Sequence, residues 1–303
     1  PRDGLRGAEP GSRPRDTDRA ANLGRDQVLV IPVVARAEWL PDDARPVLIG
    51  LRSALLAVAL AGEHGARLAR GLGDKTPVVP ASVTVDRARI KKALAHTQPV
   101  LGDHESKLLL SAYGVPITRQ AVATTPSAAV RLAKTCGFPV EMKPWSADVG
   151  ADGEARVLET DIKNAPDVRR AFAAVASRAG LPVGVPVIVR VTPPAGRAVS
   201  ARIETLGSLG SVLVLDVPGA DGPLAAPVPL AREDATVLVG HVQATRTGEA
   251  PPDREALADL LWRAALAAAD QADAVETIEL LRVVVAEKGA VVVDARAERK
   301  KRR

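Results

Sequence analysis

Sulfur and aromatic rings are scarce in this chain. Its 303 residues include one cysteine, Cys136, one methionine, one tyrosine, two phenylalanines and three tryptophans, and aromatic residues make up 2%. A lone cysteine excludes an internal disulfide framework and a cysteine-based metal cluster. It fits a reducing compartment, so a cytoplasmic location is expected. With so few rings there is no platform on which the bases of a single-stranded nucleic acid could stack. There are four histidines, His64, His96, His104 and His241. The longest apolar run, around Leu55 to Ala61, is far shorter than the roughly 20 residues that cross a bilayer, so no membrane segment is expected.

What is present suffices for a folded core. The chain is 47% hydrophobic and 25% charged, and its length allows two domains. Because Ala, Val and Leu dominate, the core must be aliphatic and closely packed. The net charge of +5 would suit an anionic partner, but much of the excess lies in the ends. Residues 1–27 are rich in Arg, Pro, Gly and Asp, and residues 299–303 read Arg-Lys-Lys-Arg-Arg. Both ends, 1–27 and 297–303, read as solvated tails. A nucleic-acid arm is the lesser alternative and would require salt-dependent binding. The sequence starts at Pro1 without a Met or a secretory apolar segment, which fits a processed chain or part of a longer product.

Between the tails, apolar periodicity gives the order of elements. Val28 to Val34 and Pro46 to Leu51 are continuous apolar runs that suit buried parallel strands, and an Ala/Leu-rich helix is expected from Ser53 to Leu72. Residues 28–90 thus form a partial α/β segment with too few strands for a complete doubly wound domain. From His104 onward helices and strands alternate. Thr125-Pro126 provides an N-cap and first helical residue, and Asn164 caps a helix whose Val168, Ala171, Phe172 and Val175 share a face. Val187 to Val191, Val199 to Ile203 and Val212 to Val217 read as short strands of one antiparallel platform. A helix from Asp253 to Ala272 carries the stripe Leu257, Leu260, Leu261, Ala264 and Ala268. Thr277 to Val285 and Ala290 to Ala295 then form a hairpin turning at Lys288-Gly289. Two α+β lobes with a cleft between them are expected, preceded by the short α/β segment.

Four stretches carry a resemblance: Asp103-His104-Glu105-Ser106-Lys107 followed by Ala112-Tyr-Gly-Val-Pro116, Gly137-Phe-Pro-Val140 leading to Lys143, Val187 to Val191 with Pro193-Pro-Ala-Gly196, and Thr277 to Arg296. Together they resemble the ATP-grasp domain of ADP-forming acyl-CoA synthetases and of the succinyl-CoA synthetase beta subunit, over residues 100–296. The resemblance implies an ATP or ADP cleft with Mg²⁺ and a CoA-binding ligase subunit, or a second copy of the chain, as partner. It would direct the Lys143 ammonium at the phosphates. The loop with Ser146, Gly150 and Gly153 would cover them, and the strand with Arg190 would lie on the adenine side. In the same alignment Asp294 falls on a family Mg²⁺ ligand, and Glu279, on the same strand face as Leu281, can reach the ion. Leu281 stands where the family has a metal-binding Asn, and Arg190 and Ala198 replace Glu or Gln and Glu. Residues 28–90 include Glu63-His64-Gly65, which echoes the family's phosphate-relaying histidine segment, as in a CoA-ligase remnant with His64 as the catalytic group. Two functions follow: a nucleotide-binding protein coupling phosphoryl transfer to acyl-CoA chemistry, or a non-catalytic interaction module that retains the fold.

Overall fold

The computed structural model of the chain describes residues 33–34, 48–49, 55, 62, 79–80, 83–95, 98–145, 158–178, 186–205, 210–220, 222–240, 242 and 250–300. The chain divides into two compact units, Pro1–Gly71 and Leu72–Arg303. In the first, β1 (Val33–Val34) and β2 (Leu48–Ile49) pair in parallel, inside the two apolar runs read as parallel strands. Leu55 and Gly62 are helical, and the rest of the expected Ser53 to Leu72 helix, His64 included, lies outside the described residues.

The second unit holds two sheets. A four-stranded antiparallel sheet is built from β4 (Gln120–Ala123), β5 (Val140–Pro144), β6 (Glu159–Ile162) and β7 (Val187–Val191) in the order β4-β7-β5-β6. Helices α3 (Pro126–Cys136) and α4 (Ala165–Arg178) cover one of its faces, burying Ala129, Val130, Ala133, Val168, Ala171 and Val175 against Val140, Met142, Val187 and Val189. Both helices begin where the caps predict. Thr125 Oγ1 accepts from the Ala128 N–H at 3.2 Å, and Asn164 Oδ1 accepts from the Asp167 N–H at 3.0 Å.

The larger sheet has six strands: β3 (Val100–Leu101), β8 (Arg197–Thr205), β9 (Ser211–Asp216), β10 (Leu224–Pro227), β11 (Val275–Val285) and β12 (Ala290–Arg299), in the order β10-β9-β8-β11-β12-β3. Its apolar face, including Val199, Ala201, Ile203, Leu213, Leu215, Ile278 and Leu280, forms one core with α1 (Arg87–Ala93), α2 (Asp103–Ser111), α5 (Arg232–Val239) and α6 (Arg254–Asp270). The α6 stripe packs as the periodicity implies, with Leu257, Leu260, Leu261 and Ala264 fully buried. The terminal hairpin turns at Gly289, whose φ of +88° suits a residue without a Cβ. Among the described residues no helix is long and apolar enough to cross a membrane.

One expectation needs correcting. The three strands between Pro186 and Val217 do not share a platform, since β7 lies at the centre of the smaller sheet, between β4 and β5, while β8 and β9 belong to the larger one. Thr192 to Gly196 carries the chain from one sheet to the other, so its Pro-Pro-Ala-Gly is a crossover, not a hairpin turn. The Ala-Tyr-Gly-Val-Pro segment also has a clear structural role. The buried Tyr113 hydroxyl donates to Asp270 and accepts from Gln271 on α6 and its end, and Gly114 takes φ +76° beneath Arg263. The Pro116 carbonyl accepts from the Val292 N–H at 2.9 Å, and the Thr118 N–H donates to Val292 at 3.0 Å. The segment that leaves the larger lobe is thus fastened along β12 before it enters the smaller sheet.

Candidate functional site

Where the lobes meet, the polar faces of both sheets and one edge of α2 bring six charged side chains together. Period-2 alternation on β5 turns Val140 and Met142 toward α3 and α4 and leaves Glu141 and Lys143 on the opposite face. Arg190 on β7 stands opposite Glu141 in the antiparallel register and so shares that face. From the larger sheet β12 contributes Asp294. On α2, Asp103 and Lys107 are one turn apart and lie in line with Leu110, so helical spacing sends both charges inward.

Among the described residues the contacts link all six side chains. Lys143 Nζ lies 2.8 Å from Asp294 Oδ1 and 3.3 Å from Asp103 Oδ2. Lys107 Nζ lies 3.3 Å from the same Asp103 oxygen and donates to Thr118 Oγ1 at 2.9 Å and Gln120 Oε1 at 2.6 Å. Arg190 donates through Nη1 to Asp294 Oδ1 at 2.5 Å and to the Val293 carbonyl at 3.1 Å, and through Nε to Glu141 Oε2 at 2.9 Å. Asp103 Oδ1 accepts from the Ala295 N–H at 2.9 Å. Its Oδ2 accepts no well-formed hydrogen bond yet faces two ammonium groups at 3.3 Å, so it acts as an electrostatic bridge. Among these six groups three cations face three anions, and Lys107, Lys143 and Arg190 are each at most 1% exposed. Balance is required here, because an unpaired charge at this depth costs several kcal/mol.

Burial and pairing act oppositely on these groups. Desolvation lowers the Lys107 pKa to about 8, and Asp103 offsets only part of that. At Asp294 burial would raise the carboxyl, but Arg190 and Lys143 outweigh it and hold the group well below the usual carboxylate range. Burial likewise works against the Arg190 guanidinium, and Asp294 and Glu141 more than restore its charge.

The Lys107 value leads to a measurable result. Its folded pKa of about 8 lies below the ordinary lysine value of 10.5, so between these pH values the unfolded chain binds more protons than the folded one. The stability cost of the buried ammonium is therefore fully present below pH 8 and is relieved as pH rises through that window. Chemical denaturation at stepped pH should show this rise in the wild type relative to Lys107→Met. Parallel curves for the two proteins would show that Lys107 does not titrate there.

The structure thus brings together Lys143, Arg190 and Asp294 from the set read in the sequence. Glu279 lies apart. It is 3.8 Å from Arg296, its register partner on β12, and with Ser200, Arg202, Val214, Asp216 and Leu281 it lines a hollow of about 390 Å³ on the polar face of the larger sheet. Ser146, Gly150 and Gly153 lie outside the described residues. Sequence reading missed Asp103, Lys107 and Glu141. The available signal was two charges at i and i+4 on a stripe shared with Leu110, and an acid two residues before Lys143.

Two α+β lobes, each built on an antiparallel sheet, are the architecture of an ATP-grasp protein. Residues 92–298 match the ATP-grasp domain family, and the chain belongs to it. Among its relatives is the beta subunit of ADP-forming acetate–CoA ligase II of Pyrococcus furiosus, 28% identical over 232 residues that span 68% of this chain and 94% of that protein. The beta subunit of ligase I of the same organism is 28% identical over 233 residues, or 69% of this chain and 96% of that one. In fold the chain is similar to the dinucleotide-forming acetyl-coenzyme A synthetase 1 of Ca. Korarchaeum cryptofilum, solved with coenzyme A and Ca-AMPCP. The TM-score is 0.64 at 23% identity, over 71% of this chain and 99% of that one.

The Mg²⁺ implied by the resemblance can be tested against the donors present. Asp294 Oδ1 is already shared by an ammonium and a guanidinium, Glu279 is directed to Arg296, and Leu281 has no oxygen. Among the described residues no three His, Cys, Asp or Glu side chains are grouped to hold a metal ion. At a nucleotide site Mg²⁺ takes one or two carboxylates and completes its octahedron with phosphate oxygens and water, so the point of misfit is Asp294, whose Oδ1 is held by two cations, and the separation of Glu279 from it.

Proposed function

We propose that this chain binds ATP or ADP in the cleft between its lobes and works with a CoA-binding ligase subunit, as its beta-subunit relatives suggest. The observation that carries the reading is the meeting of Lys143, at the end of β5, with Asp294 of β12 at 2.8 Å across the lobe junction. A compact ammonium held there by surrounding packing is suited to phosphate oxygens. The Ser146 to Gly153 loop follows β5 directly and stands in the right place in the chain to cover them. Residues 28–90, with His64, belong to this proposal as the CoA-ligase-like remnant.

A second reading, binding without phosphoryl transfer, is favoured by one observation. The three buried cations are already neutralised by three carboxylates, whereas transfer needs positive charge available to the moving phosphoryl group.

Thermal melts with ADP and with ATP, each with and without Mg²⁺, test the binding. A nucleotide at 100 times its Kd should add about 2.7 kcal/mol of stability. A flat melting temperature in all four series rejects nucleotide binding. ATP-dependent acyl-CoA formation with an added CoA-binding subunit, abolished by Lys143→Met, would exclude the second reading.

A further inference from the structure

The oxygens at the junction between the lobes are gathered around buried cations, and one of these is a guanidinium. Arg190 bridges two carboxylates from different sheets. Its Nε and Nη2 lie 2.9 and 2.8 Å from Glu141 Oε2, and its Nη1 lies 2.5 Å from Asp294 Oδ1. The same Nη1 donates to the Val293 carbonyl, so the group is fixed by main chain as well as by charge. It is 1% exposed. A fixed cation on the one carboxylate that aligns with a metal ligand alters the charge balance of the cleft. A divalent ion placed on Asp294 would sit within a few Å of both the guanidinium and the Lys143 ammonium, at a depth where water screens little. Glu141 makes the arrangement self-consistent, since it brings to β5 the extra negative charge that a third buried cation requires.

We infer that Arg190 is a resident cation standing in the place of a divalent metal at Asp294, and that the cleft takes its nucleoside phosphate without one. The identity of the ligand rests on the nucleotide reading above, whereas the replacement of the metal by Arg190 does not. Arg190 thereby has a role that backbone recognition on the adenine side would not give it: it keeps Asp294 ionised and positioned, and it occupies the side of that carboxylate on which a soluble ion would sit.

Two measurements on the full chain separate these parts. First, Mn²⁺ is titrated into nucleotide-free protein and followed by loss of its free-ion EPR signal. Wild type and Asp294→Asn should bind it alike. Arg190→Gln leaves Glu141 and Asp294 facing each other and should gain Mn²⁺ affinity by at least about tenfold, or 1.4 kcal/mol. Second, ADP is titrated calorimetrically in Mg²⁺ and in EDTA, where the wild-type Kd values should agree within about threefold, a difference of under 1 kcal/mol. If Arg190→Gln does not fold, Glu141→Leu/Arg190→Gln keeps the cluster neutral, and its ADP affinity should become Mg²⁺-dependent by about tenfold or more. Wild-type Mn²⁺ binding lost in Asp294→Asn overturns the inference, as does an ADP affinity that collapses in EDTA. Metal-independence that persists in the double variant also overturns it. If ADP binds under neither condition, the nucleotide reading fails, and the Mn²⁺ comparison alone decides whether Arg190 holds the metal's place.

Discussion

Replacing Asp294 by alanine is expected to lower the unfolding free energy by about 3–5 kcal/mol, the range found when one partner of a buried ion pair is removed. Asp294 Oδ1 faces two buried cations, Lys143 at 2.8 Å and Arg190 at 2.5 Å, so its loss leaves three positive charges against two negative ones. For a domain whose total stability is of order 5–15 kcal/mol, such a loss is large enough to leave part of the population unfolded at rest. Urea unfolding followed by circular dichroism should show a lower midpoint with an unchanged slope. A loss well under about 1 kcal/mol, typical of a solvated pair, would show that water reaches the cluster. Asp294→Asn keeps the shape but not the charge and should lose less.

The acid limb gives an independent reading of the same residue. The Asp294 carboxyl is depressed in the folded state, so the stability it contributes is fully present above the ordinary aspartate pKa of about 3.9. That contribution is lost as pH falls through the folded value. The wild-type and Asp294→Asn curves should therefore converge as the solution is acidified below pH 4.

Arg190→Met is expected to be about as damaging as the loss of Asp294, and Glu141→Leu/Arg190→Met is expected to recover most of the loss. The single change leaves Glu141 as a buried anion without its guanidinium, at a cost of about 3–5 kcal/mol. Removing both members exchanges a desolvated pair for apolar packing, which is often neutral or stabilising. The cycle should yield a coupling energy of about 2 kcal/mol or more, near the upper part of the range for residues in contact. Simple additivity would show that Arg190 acts through Asp294 alone.

How far the fold could be read from sequence depended on how local each signal was. The Thr125-Pro126 start of α3, the Asn164 cap of α4, the α6 stripe and the Gly289 turn are each decided within a few residues, and each stands where expected. The membership of β7 was not legible in the same way. A run such as Val-Ile-Val-Arg-Val fits the middle of either sheet, and only its pairing with β4 and β5 decides between them. The site shows the same division. Lys143 and Asp294 stand at positions that the family resemblance singles out. The inward course of Asp103 and Lys107 was written in their spacing, but charges one turn apart on a helix ordinarily read as a solvated pair. Only the opposite wall, with Asp294, Thr118 and Gln120, makes that face an interior. Arg190 was legible as a departure, but what it departs toward became clear only when its register partner proved to be Glu141.

The position of Glu141 opposite Arg190 also bears on how such a cleft can change over generations. Exchange of Arg190 alone strands Glu141 in the interior, and exchange of Glu141 alone leaves three buried cations against two carboxylates among the six, at a cost comparable to a large share of a domain's stability. Substitution at either position therefore meets a barrier that a paired change on the two adjacent strands avoids, and a prior gain in stability elsewhere would make the single-change intermediate viable.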